Sequence, residues 1–240
     1  MKSASLLKVL TGAGAGSRRK VADAIKYERV AVNGQIITDF SYPVNSATDR
    51  ITIDGKPVDL KPKQVVTLML NKPAGIISTV SDERGRGKVT DILPEKYRNL
   101  RLYPVGRLDK DSTGLLLMTN DGDLAYRLTH PRYEYKKEYL VYIKGKLKSG
   151  EKQKLMRGLE LEDGMTSPAK VREVAVPPFN YSITIHEGRK RQVRHMFDSL
   201  RHRVLALKRI RIENLELGNL AEGKTRQLSV KEVRALLNQA

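Results

Sequence analysis

The chain contains no cysteine. Disulfides and thiolate catalysis are therefore excluded, and the commonest structural zinc ligands are missing. The four histidines, at 130, 186, 195 and 202, show neither HxH nor HxxxH spacing, so no metal site is expected. No apolar run approaches the ~20 residues that a membrane-spanning helix needs, and neither end carries a basic amphipathic anchor. Lys8 interrupts the leading apolar segment before the core of a signal peptide can form. Acidic residues are scarce: 27 Asp and Glu against 45 Lys and Arg leave a net charge of +18. Such an excess favours a polyanionic partner through counterion release, and nucleic acid is the commonest. A soluble, cytoplasmic, basic protein is expected. Its 240 residues suffice for one large domain or for a large and a small one.

The most informative stretch is 104–122, Pro-Val-Gly-Arg-Leu-Asp-Lys-Asp-Ser-Thr-Gly-Leu-Leu-Leu-Met-Thr-Asn-Asp-Gly. Arg107, Asp109 and Asp111 lie between Gly106 and Gly114, and the apolar run 115–118 follows. The glycines permit a tight backbone path, and the apolar run reads as a buried strand. A carboxylate on a loop anchored by a buried strand is rigid and reachable from solvent, the usual setting for catalysis. A backbone-capping Asp in a glycine-rich turn is the plainer reading of the same residues.

Upstream, 6–10 predict a short helix ended by the glycines at 12, 14 and 16. Ser17 is placed to cap a second helix that buries Val21, Ala22 and Ile25. Arg18, Arg19 and Lys20 carry the wrong sign for the first turn of a helix unless an anion sits nearby. A phosphate contact there is expected, a solvated basic face being the alternative. Asn33-Gly34 joins two short strands as a hairpin, Asp54-Gly55 marks a further turn, and 60–63 read as a linker. Beyond Val65 the chain alternates strands and helices. Strands are predicted over 65–70, 137–147 and 181–186, and a helix capped by Ser149 runs through Leu155. A helix burying Val193, Met196, Phe197 and Leu200 follows, and a capping box at Ser229 and Glu232 opens the last one.

The 104–122 segment resembles the catalytic motif of the ribosomal RNA pseudouridine synthases of the RsuA type. Three further segments are similar to that family in the same order: Lys72-Pro73-Ala74-Gly75, Lys137-Glu138-Tyr139-Leu140-Val141, and 188–196, Gly-Arg-Lys-Arg-Gln-Val-Arg-His-Met. The amino-terminal pattern, with its Ser-Arg-Arg, Val-Asn-Gly and Asp-Arg-Ile strings, resembles the S4 RNA-binding domain. It departs at Lys26-Tyr27-Glu28, where that family more often has a glycine.

The resemblance implies an α+β chain, with a small S4-like RNA-binding domain over 1–61 and a mixed-sheet pseudouridine synthase domain over 62–240. It implies an isomerase that breaks the C1′–N1 bond of a uridine, turns the uracil and joins C1′ to C5. The exchange needs no redox cofactor or metal. Asp109 is implied as the acting carboxylate, Arg194 as its ion-pair partner and Tyr139 as the ring on the target base. Asp111 is then a loop-shaping residue. Lys72, Arg107, Arg189 and Lys190 join Arg18, Arg19 and Lys20 as expected RNA contacts. The expected partner is ribosomal RNA, as a stem-loop or assembly intermediate, taken up by a monomer. The segment from Thr129-His130-Pro131 leans toward large-subunit enzymes. Two alternatives are a non-catalytic RNA-binding assembly factor and a hydrolase using paired carboxylates. The second suits the charge of +18 poorly.

Overall fold

The computed structural model describes residues 4–60 and 64–237. The chain divides into two compact units, 1–65 and 66–240. Residues 61–63 of the expected linker lie outside the described residues.

The first unit packs helices Leu6–Gly12 and Arg18–Lys26 against short antiparallel strands. Ser17 caps the second helix as expected, its hydroxyl accepting the Lys20 amide at 3.0 Å. Val21, Ala24 and Ile25 form the buried face of that helix, while Ala22 is only partly covered. Strands Val30–Val32 and Gln35–Ile36 pair across Asn33-Gly34, where both residues have positive φ. The Asn33 side chain also accepts the Arg50 amide and donates to Asp49, tying the turn to the next strand. Glu28 adopts φ 58 at the position where the S4 pattern more often has glycine.

The second unit is built on one mixed sheet. Its main path runs Lys170–Val176, Phe179–Ile185, Lys137–Ile143, Val204–Ile212, Thr113–Thr119, Thr67–Lys72 and Thr225–Gln227. Every neighbouring pair is antiparallel except Val204–Ile212 with Thr113–Thr119, which are parallel. The apolar run 115–118 is the buried strand that its composition predicts. Leu116 and Met118 enter the core on one face, and Leu115 and Leu117 enter the core on the other. Asp121 then caps helix Gly122–Thr129 by accepting the Asp123 and Leu124 amides. Ser229 and Glu232 exchange the hydrogen bonds of a capping box at the last helix. The helix expected to start with a Ser149 cap begins at Ser149 itself, and the preceding Lys148 amide donates to Glu151.

Gly114 is where the site-bearing loop meets the sheet. It has φ +100, and a Cβ on it would stand 2.2 Å from the Arg209 carbonyl oxygen. Backbone cannot yield there as a side-chain tip could. Gly114→Ala is therefore expected to lower stability by about 3 kcal/mol, from overpacking together with positive-φ strain. A lowered urea midpoint with unchanged slope would register it.

Candidate active site

The loop 106–112 leaves strand Tyr103–Val105 at Gly106, which has φ +74, and returns into Thr113–Thr119. A turn closes it, the Ser112 amide donating to the Asp109 carbonyl at 3.1 Å. From below, Lys72 holds the turn. Its Nζ donates to the carbonyls of Pro73 and Ser112 at 2.9 and 2.8 Å, with Lys110 at 3.4 Å. Lys72 is wholly buried. This corrects its expected place among the RNA contacts: the buried ammonium faces the loop backbone. Burial pushes Lys72 down to about 8, against the pull of Asp111, Asp109 and Glu222.

That depression makes a pH test with a defined sign. An unfolded lysine holds its proton to about 10.4, so between about 8 and 10.4 the unfolded chain binds the extra proton and stability should rise with pH. Lys72→Met should lose this rise while also loosening the 109–112 turn. Lys137 contributes to both proteins alike, so urea midpoints of the pair at pH 7.5 and 10 isolate Lys72.

Helix Gln192–Asp198 faces the loop, with Val193, Met196 and Phe197 packed in the core as their spacing predicts, whereas Leu200, expected on the same face, lies beyond the helix end and is only partly buried. Arg194 is almost completely buried and stretches between three groups. Nη1 donates to the Val204 carbonyl at 2.9 Å, Nη2 lies 3.1 Å from Asp111 Oδ2, and Nε lies 4.0 Å from Asp109 Oδ2. Arg191, just before the helix and at φ 51, places Nη1 3.2 Å from Asp111 Oδ1 and 3.9 Å from Asp109 Oδ2. The expected Asp109–Arg194 pair is thus one edge of a cluster of two acids and two guanidiniums. The turn at 110–111 brings Asp111 to the same guanidiniums as Asp109, where an extended loop would have separated the acids. Asp111 is more than a loop-shaping residue. Burial would raise its carboxyl, but the Arg191 hydrogen bond and the charges of Arg194 and Arg191 hold it below the ordinary value. Burial also lowers Arg194, opposed by the charges of both acids.

Asp109 and Tyr139 line one cavity of about 450 Å³, within the ordinary range of small-molecule sites. Its walls include Leu108, Ile185, Leu207, Arg107, Lys137 and Arg209. Tyr139 is buried on the strand Lys137–Ile143, its hydroxyl 3.5 Å from Arg209 Nη1. Arg209 Nε donates to the Leu115 carbonyl at 2.7 Å. Arg209 Nη2 and Arg194 Nε are buried without a hydrogen-bond partner among the described residues. Such donors cost about 1–3 kcal/mol each when left unmet. Burial brings the Lys137 ammonium down to about 8, its neighbour Arg209 acting in the same direction. Lys137 Nζ donates to the Tyr135 and His186 carbonyls.

The expected basic contacts separate into two groups. Arg18, Arg19, Lys20, Arg107 and Lys190 are exposed. Arg189 is instead engaged by protein: it pairs with Glu187 and Asp163 and donates to the carbonyls of Gly164 and Met165. Glu187 also accepts the Ser167 amide and Gln192, so this basic motif clasps the cavity wall together. Arg191 and Arg209 were not singled out by the sequence. Arg191 sat inside the 188–196 motif among three other cations and a histidine, and Arg209 lies on a strand whose alternation is broken by charges.

Residues 66–199 match the family model described as RNA pseudouridylate synthase, and residues 6–51 match the S4 domain. The chain is 41% identical over 237 residues to "Ribosomal large subunit pseudouridine synthase B" of Bacillus subtilis, covering 96% of this chain and 94% of that protein. It is 38% identical to an uncharacterized RNA pseudouridine synthase of Aquifex aeolicus, covering 98% and 94%. A crystal structure of a pseudouridylate synthase superposes with a TM-score of 0.68 at 30% identity, covering 98% of this chain and all of that one. The chain belongs to the RNA pseudouridylate synthase family, with an S4 domain at its amino-terminal end.

Proposed function

We propose that this enzyme converts a specific uridine of large-subunit ribosomal RNA to pseudouridine, with Asp109 as the acting carboxylate. The observation that carries the reading is the joint placement of Asp109 and Tyr139 on one cavity beside the Arg191 and Arg194 guanidiniums. Isomerisation breaks C1′–N1, forms C1′–C5, releases the C5 proton and returns one to N1, so nothing is consumed. Attack at C1′ and proton removal at C2′ both require an ionised carboxylate. The guanidiniums of Arg191 and Arg194 lie 3.9 and 4.0 Å from Asp109 Oδ2.

A uridine stacked within folded RNA must first be turned out into the cavity. The Tyr139 ring then supplies a face for the uracil, and Arg209, which lines the same cavity, supplies a cation beside it. Arg107 and Lys190 would meet the backbone at the rim. In the S4 unit, Arg18, Arg19 and Lys20 would act on the same phosphate as the opening of their helix. The large-subunit assignment rests on the name of the Bacillus subtilis relative and on the segment from Thr129.

Pseudouridine mapping of ribosomal RNA from cells with and without this protein tests the reading. One large-subunit uridine should lose its modification and regain it with the purified enzyme. Unchanged maps would overturn the proposal and favour the non-catalytic assembly role.

A further inference from the structure

Between the cavity and open solvent lies a group of rings that the reaction itself does not use. Tyr126, on helix Gly122–Thr129, meets His130 with centroids 4.8 Å apart, and Tyr133 edge-on at 6.4 Å. Tyr133 continues to the buried Tyr135 at 6.3 Å. Guanidiniums interleave the rings: Arg132 stands 4.5 Å from the Tyr133 centroid and 5.6 Å from Tyr126, and Arg127 5.8 Å from Tyr133. His130 Nδ1 accepts the Arg132 amide, which fixes the turn that carries them. Thr129, His130, Pro131 and Tyr135 also line the cavity that holds Asp109. At the outer end Tyr126 is 49% exposed.

We propose that this Tyr126–His130–Arg132–Tyr133 cluster is a stacking platform for one unpaired base of the substrate RNA, next to the uridine that enters the cavity. The proposal rests on the RNA-modifying reading above. When a uridine leaves its stack, its neighbour loses a stacking partner. Aromatic and guanidinium planes at the rim replace that partner for any base, because every base has a π-face. A site for phosphate alone would need the cations without the rings. The cluster also joins the cavity wall without a break, so the occupant is a neighbour of the target.

The test uses a stem-loop of large-subunit RNA chosen by the footprint of the protein, so that binding is read independently of product. An abasic nucleotide is scanned through the footprint against wild type, Tyr126→Ala, Tyr126→Phe and Arg132→Ala. At one position, base removal should weaken wild-type binding about tenfold, and Tyr126→Ala should add no further loss there. On the intact stem-loop Tyr126→Ala should bind about tenfold more weakly, Arg132→Ala should also weaken, and Tyr126→Phe should match wild type. Undiminished affinity of Tyr126→Ala would overturn the platform. So would equal weakening on every abasic RNA, the result expected if the patch meets backbone only. A wild type that binds but forms no pseudouridine would overturn the catalytic reading and leave the platform result intact.

Discussion

Purified Asp109→Asn should bind its RNA within a few-fold of wild type and yield no detectable pseudouridine. The substitution keeps the size of the side chain and much of its hydrogen bonding, and removes only the charge proposed to attack C1′ or take the C2′ proton. Removal of a group acting directly on the reacting atoms is expected to cost on the order of 10³-fold or more in single-turnover rate, or at least 4 kcal/mol at ~1.4 kcal/mol per decade. Turnover at the ordinary rate would remove Asp109 from the chemistry. Asp111→Asn is the informative comparison. It loses an acid paired to Arg191 and Arg194 without touching Asp109, so it should slow the reaction by loosening both guanidiniums but leave measurable product.

Arg194→Met should be the second most damaging change. The guanidinium is 7% exposed, whereas Asp109 and Asp111 are 28% and 51% exposed. Water therefore shares the screening of the acids. The stability loss should fall below the ~3–5 kcal/mol typical of breaking a fully buried pair, at about 2 kcal/mol. Activity should fall further than stability, by about 100-fold or more, because the same side chain spans the Val204 carbonyl and both acids. Arg194→Lys separates charge from reach. An ammonium restores a positive charge but cannot bridge three acceptors, so stability should recover more than rate. Equal recovery of both, from urea melts and single-turnover assays on the same preparations, would show that charge alone suffices.

Much of this architecture was legible because local physics and tertiary context agree. Ser17, Asn33-Gly34, the strand at 115–118 and the Ser229–Glu232 box each make the local structure their residue types favour. Of the residues that the motifs pointed to, the structure brings Asp109 and Tyr139 onto one cavity and sets Arg194 4.0 Å from Asp109. What stayed hidden was set by long-range packing. Nothing in the Lys72 neighbourhood announces that its ammonium turns inward onto three carbonyls. Nothing in 188–196 tells which cations are clasped by acids and which approach Asp109. Arg209 lies on Val204–Ile212, where cations at 208, 209 and 211 conceal the central place of that strand in the sheet. Ser149 was misplaced by a single position because Lys148 and Glu151 supply the helix entry instead.

The central place of Val204–Ile212 also sets the order in which the enzyme acquires its properties. That strand sits between Lys137–Ile143 and Thr113–Thr119, and its parallel register sets Arg209 opposite Gly114. The contacts that complete the cavity therefore close loops of about 70 to 95 residues, as between Arg209 and Tyr139 or Leu115. Contacts of such sequence separation form late, whereas those of the S4 unit are local and that unit leaves the ribosome first. During synthesis, the nascent chain should display a folded RNA-binding module well before it can modify anything. A chain stopped before residue 204 would lack the strand that joins the two halves of the sheet, so catalytic competence marks completion of the whole second unit.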